Sequence, residues 1–201
     1  MRRWVQRRWV QRRWVQRRWV QQRWVPRGVY LVTDRALCRG RPLDEVVLQA
    51  VQGGVPTVQL REKDLSTRLF VQEAMRVKRL LAPYGVPLII NDRVDVALAA
   101  EADGVHIGQD DMPYSLARKL LGPRAIIGLS VETLEQVLEA EAFDVDYLGV
   151  SPIFPTPTKP DAGPAWGLEG LARARQHSRH PLVAIGGLNA DNAGAVVRAG
   201  A

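Results

Sequence analysis

Cations, carboxylates, amides and hydroxyls recur along this sequence just after short apolar, β-branched runs. Gln59, Leu60, Arg61, Glu62 and Lys63 close one such run, and the i, i+2, i+4 spacing of Gln59, Arg61 and Lys63 sends those three side chains the same way on a pleated backbone. Asn91 and Asp92 follow VPLII, and His106, Gln109, Asp110 and Asp111 lie in or after GVHIG. Ser130 ends AIIGLS, Thr156, Pro157, Thr158 and Lys159 sit in SPIFPTPTKP, and Gly186 and Gly187 follow PLVAI. Such a set suits a diphosphate held with a divalent cation. Two carboxylates offer oxygen to a hard ion such as Mg2+, the ion bridges phosphate oxygens, and Arg and Lys balance the remaining charge. Paired glycines at a strand-to-helix turn let backbone N–H groups approach a further phosphate. No Ser/His/Asp or Cys/His arrangement suggests nucleophilic catalysis.

Each residue also has a plainer role. Asp111, just before Met112 and Pro113, has the default helix N-cap position. A strand histidine such as His106 more often packs and hydrogen-bonds than catalyses, Lys63 and Asp64 suit a solvated loop, and Gly186-Gly187 suits a tight turn. The joint placement outweighs these separate readings, because six consecutive strand ends carry groups compatible with phosphate.

The elements that must position them form a series of strand-helix units. The patterning predicts strands at 29–33 and 57–62, in VPLIIN, GVHIG, AIIGLS and DYLGVS, and in PLVAIGG. It predicts helices over 43–54, over 66–82 with Ser66 as cap, over 93–101, after Pro113, and over 131–142, 168–177 and 190–199. Alternation of this kind makes a parallel sheet with crossover helices. Its closed form is the α/β class (β/α)8 TIM barrel, whose catalytic groups gather at the C-terminal strand ends. The pattern reaches RAGA where an eighth strand is due, so the expectation is a catalytic barrel over 27–201 lacking that strand, with weak turnover or none.

Ahead of the barrel, residues 1–26 hold RRWVQ written four times and then QRWVP. A period of five turns about 140° per repeat on a helix and alternates faces on a strand, so the tryptophans share no face. The segment reads as an unstructured extension, against the rival readings of an Arg/Trp peptide for nucleic acid or anionic membrane, or a start codon downstream of it. The net charge of +7 comes from here. The repeat supplies nine arginines; 28 basic residues less these nine leaves 19 against 21 acidic, so the barrel itself gives no reason to expect nucleic acid. A single cysteine, no uninterrupted apolar run for a signal peptide and no membrane-length segment predict a cytoplasmic protein.

VYLVTD, VQLREK, IINDRVDVALAAEADGVHIGQDD, IIGLSVET, DYLGVSPIFPTPTK and VAIGGL together resemble, in order, the motifs of the thiamine phosphate synthase family. The resemblance runs from Val29 to Ala201. It implies the coupling of hydroxymethylpyrimidine diphosphate to hydroxyethylthiazole phosphate with release of pyrophosphate. It also implies that residues 59–63, Asn91 and Ser130 contact the pyrimidine substrate, that Asp92 and Asp111 hold Mg2+, and that Lys159 meets the diphosphate. Residues 156–158 and Gly187 would meet the thiazole phosphate. The implied mechanism is dissociative: the aminopyrimidine stabilises a methylene cation that the thiazole nitrogen traps. The family continues into an eighth strand that completes the phosphate site, and the RRWVQ array is not part of its pattern. Two rivals remain: a thiazole tautomerase-like paralogue, against which Arg61, Lys63, Asp92, Asp111 and Lys159 speak, and an inactive barrel fragment carrying an adhesive tail. The oligomeric state is open, a homo-oligomer among the alternatives.

Overall fold

The computed structural model describes residues 24–156 and 163–201, so most of the repeat and three expected site residues, Pro157, Thr158 and Lys159, lie outside the described residues. The strands are β1 (Tyr30–Val32), β2 (Thr57–Leu60), β3 (Leu88–Asn91), β4 (Gly104–Ile107), β5 (Ile126–Val131), β6 (Tyr147–Val150) and β7 (Leu182–Ala184). All pair in parallel with their sequence neighbours in the order β1 to β7. The sheet curls on itself, for Tyr30 of β1 reaches across to hydrogen-bond Tyr147 of β6. This is the TIM-like α/β barrel expected, with seven strands among the described residues.

Helices α1 (Leu43–Gln52), α2 (Thr67–Leu81), α3 (Val94–Ala99), α4 (Tyr114–Leu121), α5 (Leu134–Ala140), α6 (Gly167–His177) and α7 (Ala193–Arg198) alternate with the strands. In α2 the apolar residues Phe70, Ala74, Val77 and Leu81 recur at helical spacing and are all buried. They join Val58, Leu60 and Ile90 in the core between sheet and helices. Complete burial of a side chain such as Phe70 contributes roughly 1.5–3 kcal/mol. Strands β2, β3 and β6 are buried at every position, as a sheet covered on both faces requires.

Local chemistry sets the element ends. Ser66 caps α2, its Oγ accepting the Leu69 N–H at 3.4 Å, as its position predicts. Thr133 caps α5 in the same way, which trims the expected helix at its start. Strand β2 ends before Arg61 because that residue's N–H leaves the ladder for the Thr33 hydroxyl at 3.0 Å. The last helix begins later than residue 190 because Asn189 Oδ1 accepts the N–H groups of Asp191 and Asn192, holding a side-chain-locked turn there.

The N-terminal mouth of the barrel is aromatic and apolar. Ile89, Ile126 and Tyr147 form its buried centre, with Tyr30, Val183 and Trp24 packed against them. Trp24, a repeat residue by sequence, meets the Tyr147 ring edge-on at 5.7 Å between centroids. Among the described residues no helix is long and apolar enough to cross a membrane.

Candidate active site at the C-terminal rim

The opposite mouth carries the charge. Asp92 follows β3 with φ of +63°, a left-handed conformation in which a non-glycine residue is strained by roughly 1–3 kcal/mol. Two backbone bonds hold it there: its N–H donates to the His106 carbonyl at 2.8 Å, and the Arg93 N–H reaches back over it to the Asn91 carbonyl at 2.7 Å. This tight turn aims the carboxylate at Lys63, whose Nζ lies 2.5 Å from Oδ2.

Asp111 completes the cluster. Helix α4 takes Pro113 at its N-cap position, without a side-chain cap. Asp111 turns back instead, and its Oδ2 accepts the Gly108 N–H at 2.7 Å. The default capping role therefore does not describe it. Burial raises the Asp111 pKa above the usual carboxylate range; the Gly108 N–H opposes this, while hydrogen bonding and charge from Asp92 add to it. Two carboxyl groups in one cluster, with one ammonium beside them, form a site short of positive charge.

Ser130 marks the end of β5, its Oγ 2.8 Å from His106 Nε2, while Gln109 Nε2 donates to the Ser130 carbonyl at 2.5 Å. Asn91, almost fully buried, lies beside His106 in the ladder. Arg61 stands at the same rim, its guanidinium 3.4 Å from Asp34 Oδ2. Thr33 and Asp34, which sequence reasoning left unassigned, thus brace Arg61 through backbone and side chain; their position directly after the first strand was the available signal. Gln59 lies deeper, 4% exposed, and donates to the Tyr30 hydroxyl at 3.1 Å.

Strand alternation separates two of the expected contacts from this group. Leu60 is fully buried in the outer core, and Glu62 pairs with Arg35 at 2.6 Å. Thr156 is half-buried beyond β6. Gly186 and Gly187 have φ of +99° and +67°, and a methyl group on Gly187 would lie 2.7 Å from Phe154 Cβ. The turn therefore demands glycine on packing and conformation alone. A cavity of about 400 Å³ lies elsewhere, on the outer side near α2, and its Arg35, Glu73 and Arg76 are already ion-paired.

Among the described residues no three His, Cys, Asp or Glu side chains gather as a metal site. Asp92 and Asp111 suit an ion that takes only one or two protein carboxylates and completes its shell with water and substrate phosphate, the habit of Mg2+. The donor set fits that ion.

Residues 29–201 match the family described as thiamine monophosphate synthase. The chain is 60% identical over 173 residues to a thiamine-phosphate synthase of Albidiferax ferrireducens, covering 86% of this chain and 79% of that protein. It is 55% identical over 173 residues to that of Syntrophomonas wolfei, with 86% and 83% covered. Among solved structures it resembles a thiamine phosphate pyrophosphorylase from Pyrococcus furiosus, with a TM-score of 0.77 and 43% identity over 85% of this chain and 80% of that one. Sequence match, shared fold and the placement of charge at one mouth of the barrel agree: the chain belongs to the thiamine monophosphate synthase family.

Proposed function

We propose that the chain joins hydroxymethylpyrimidine diphosphate to hydroxyethylthiazole phosphate, giving thiamine phosphate and pyrophosphate. The observation that carries this reading is the cluster of Lys63, Asp92 and Asp111, drawn from three successive strand ends and one positive charge short. A tautomerase-like activity, which needs no diphosphate site, leaves that cluster without a use.

The bond from the pyrimidine methylene to the diphosphate oxygen breaks with its electron pair leaving on pyrophosphate, and the thiazole nitrogen supplies the pair for the new C–N bond. No proton transfer is needed. Mg2+, bound by Asp92 and Asp111, would supply charge neutralisation for the departing phosphates. Lys63 and Arg61 add fixed positive charge at the same rim, and Lys159 from the neighbouring loop is assigned to the diphosphate. Asp34 keeps Arg61 oriented, and the turn around Asp92 fixes the carboxylate before substrate arrives, so reorganisation cost is met in folding. Ser130, Asn91 and Gln59 line the pyrimidine side, where positioning shortens the search for the reacting geometry. Residues 156–158 and Gly187 are assigned to the thiazole phosphate.

The test is formation of thiamine phosphate from the two substrates, followed by chromatography together with pyrophosphate release, with Mg2+ and with excess chelator. Product that appears only with the metal supports the reading. Absence of product under both conditions, from folded protein, refutes it.

A further inference from the structure

Five side chains from five different strands form one continuous hydrogen-bonded chain through the barrel interior. Gln59 Nε2 donates to Tyr30 Oη at 3.1 Å, and Tyr30 Oη lies 2.8 Å from Tyr147 Oη. Tyr147 Oη lies 2.9 Å from His106 Nδ1, and His106 Nε2 lies 2.8 Å from Ser130 Oγ. Tyr147 is fully buried, its ring stacks on that of His106, and Trp24 covers it from the base. Gly128 provides the room, since a methyl group there would collide with both the Tyr147 and His106 rings.

The chain has a direction. A Gln amide N–H can only donate, so the Tyr30 hydroxyl accepts at that end and has one proton to place. Its other partner among the described residues is Tyr147. If Tyr30 donates to Tyr147, then Tyr147 donates to His106 Nδ1. A neutral imidazole accepting at Nδ1 carries its proton on Nε2 and donates to Ser130 Oγ. The Ser130 proton is then left for a ligand. The opposite direction would have Tyr30 accept from both Gln59 and Tyr147 and leave its own O–H without an acceptor inside the barrel, a loss that buried polar groups avoid.

We infer that Tyr147 and His106 are positioning residues that lock the Ser130 hydroxyl as a hydrogen-bond donor toward the site, selecting a ligand that offers an unprotonated sp2 nitrogen lone pair. This deepens the proposed function and rests on it for the identity of that ligand, since the ring nitrogens of a pyrimidine are such acceptors. An N–H-bearing ring would gain nothing from that proton and could reach only the one Ser130 lone pair that His106 does not use.

Nitrogen-15 NMR of the labelled full chain at pH 8 reads the direction without any assay of activity. The protein has three histidines, and the His106 signal is the one lost in His106→Gln. His177 serves as an internal reference of opposite kind, because its Nδ1 faces the Arg173 carbonyl at 2.8 Å and must carry the proton. The Nε2–H tautomer at His106 is expected; the Nδ1–H tautomer would overturn the inference whether or not the chain makes thiamine phosphate. Kinetics provide the second arm. His106→Asn, too short to reach Ser130, should raise KM for the pyrimidine diphosphate about 10-fold, the cost of one hydrogen bond. His106→Gln places an amide donor near the Nε2 position and should recover most of that loss. In a Ser130→Ala background, His106→Asn should add less than about 2-fold, since residues acting through one contact are not additive. Losses that multiply instead would show His106 to be structural and refute the positioning role.

Discussion

The two mouths of this barrel are built on opposite principles. The N-terminal mouth is filled by Ile89, Ile126, Tyr147, Tyr30, Val183 and Trp24, and its polar atoms are neutral and paired with one another. The C-terminal mouth holds Asp92 in a strained turn beside Lys63, Asp111 with its pKa raised by burial, and Arg61 paired with Asp34. One end gains from folding; the other is held in place by it. Such a division implies that substitutions at the base cost stability, while substitutions at the rim cost activity and leave folding nearly unchanged.

The largest effect belongs to the rim. Asp92→Asn keeps a residue tolerant of positive φ but removes the charge, and should lower turnover by about 1,000-fold, or about 4 kcal/mol in the barrier, in a steady-state assay. The midpoint of chemical unfolding without metal should hardly move. At the base the order reverses: Tyr147→Ala should destabilise the fold by about 3–5 kcal/mol, read from the same unfolding curves.

The dependence on pH sharpens the contrast. Burial pushes the His106 pKa down from 6.5 to about 4, with Asp92 opposing the shift. Between those values the unfolded chain binds a proton that the folded one refuses. The contribution of His106 is therefore complete above pH 6.5 and is lost as pH falls toward 4, by at most about 3 kcal/mol. Asp111 acts in the other sense: its folded pKa is raised, so the folded state holds the proton more tightly and stability from this group declines as pH rises out of the ordinary carboxylate range. Unfolding measured from pH 7 to 4 should show a net acid loss that flattens in His106→Gln. A smaller effect is expected from Trp24→Ala, about 1–2 kcal/mol for an edge-on aromatic contact and partial burial, measured by thermal melting. A null result there would detach the repeat from the barrel altogether.

Much of this contrast was legible in the residues. Strand-helix alternation, the Ser66 cap and the polar groups at strand ends are local patterns, and each lies where spacing puts it. Pleat alternation sends Gln59, Arg61 and Lys63 one way, whereas the family resemblance counts Leu60 and Glu62 among the contacts too; Leu60 is buried in the core and Glu62 is ion-paired with Arg35. What could not be read was long-range pairing. Tyr30 and Tyr147 are 117 residues apart, and only closure of the sheet makes them neighbours. Asp111 illustrates the same limit, because a capping position and a turn back to Gly108 look identical in sequence. The five-residue period denies the repeat a common face, yet a single tryptophan needs only one apolar hollow, and Trp24 finds it over Tyr147.

We propose that Asp92 and Asp111 form a Mg2+ site for a diphosphate. Titration calorimetry of the full chain with inorganic pyrophosphate, in the presence and absence of Mg2+, addresses it most directly. Metal-dependent binding is expected for the unsubstituted chain and should vanish in Asp92→Asn and Asp111→Asn, both still folded. Binding of equal strength without Mg2+, or unchanged in those two variants, would contradict it.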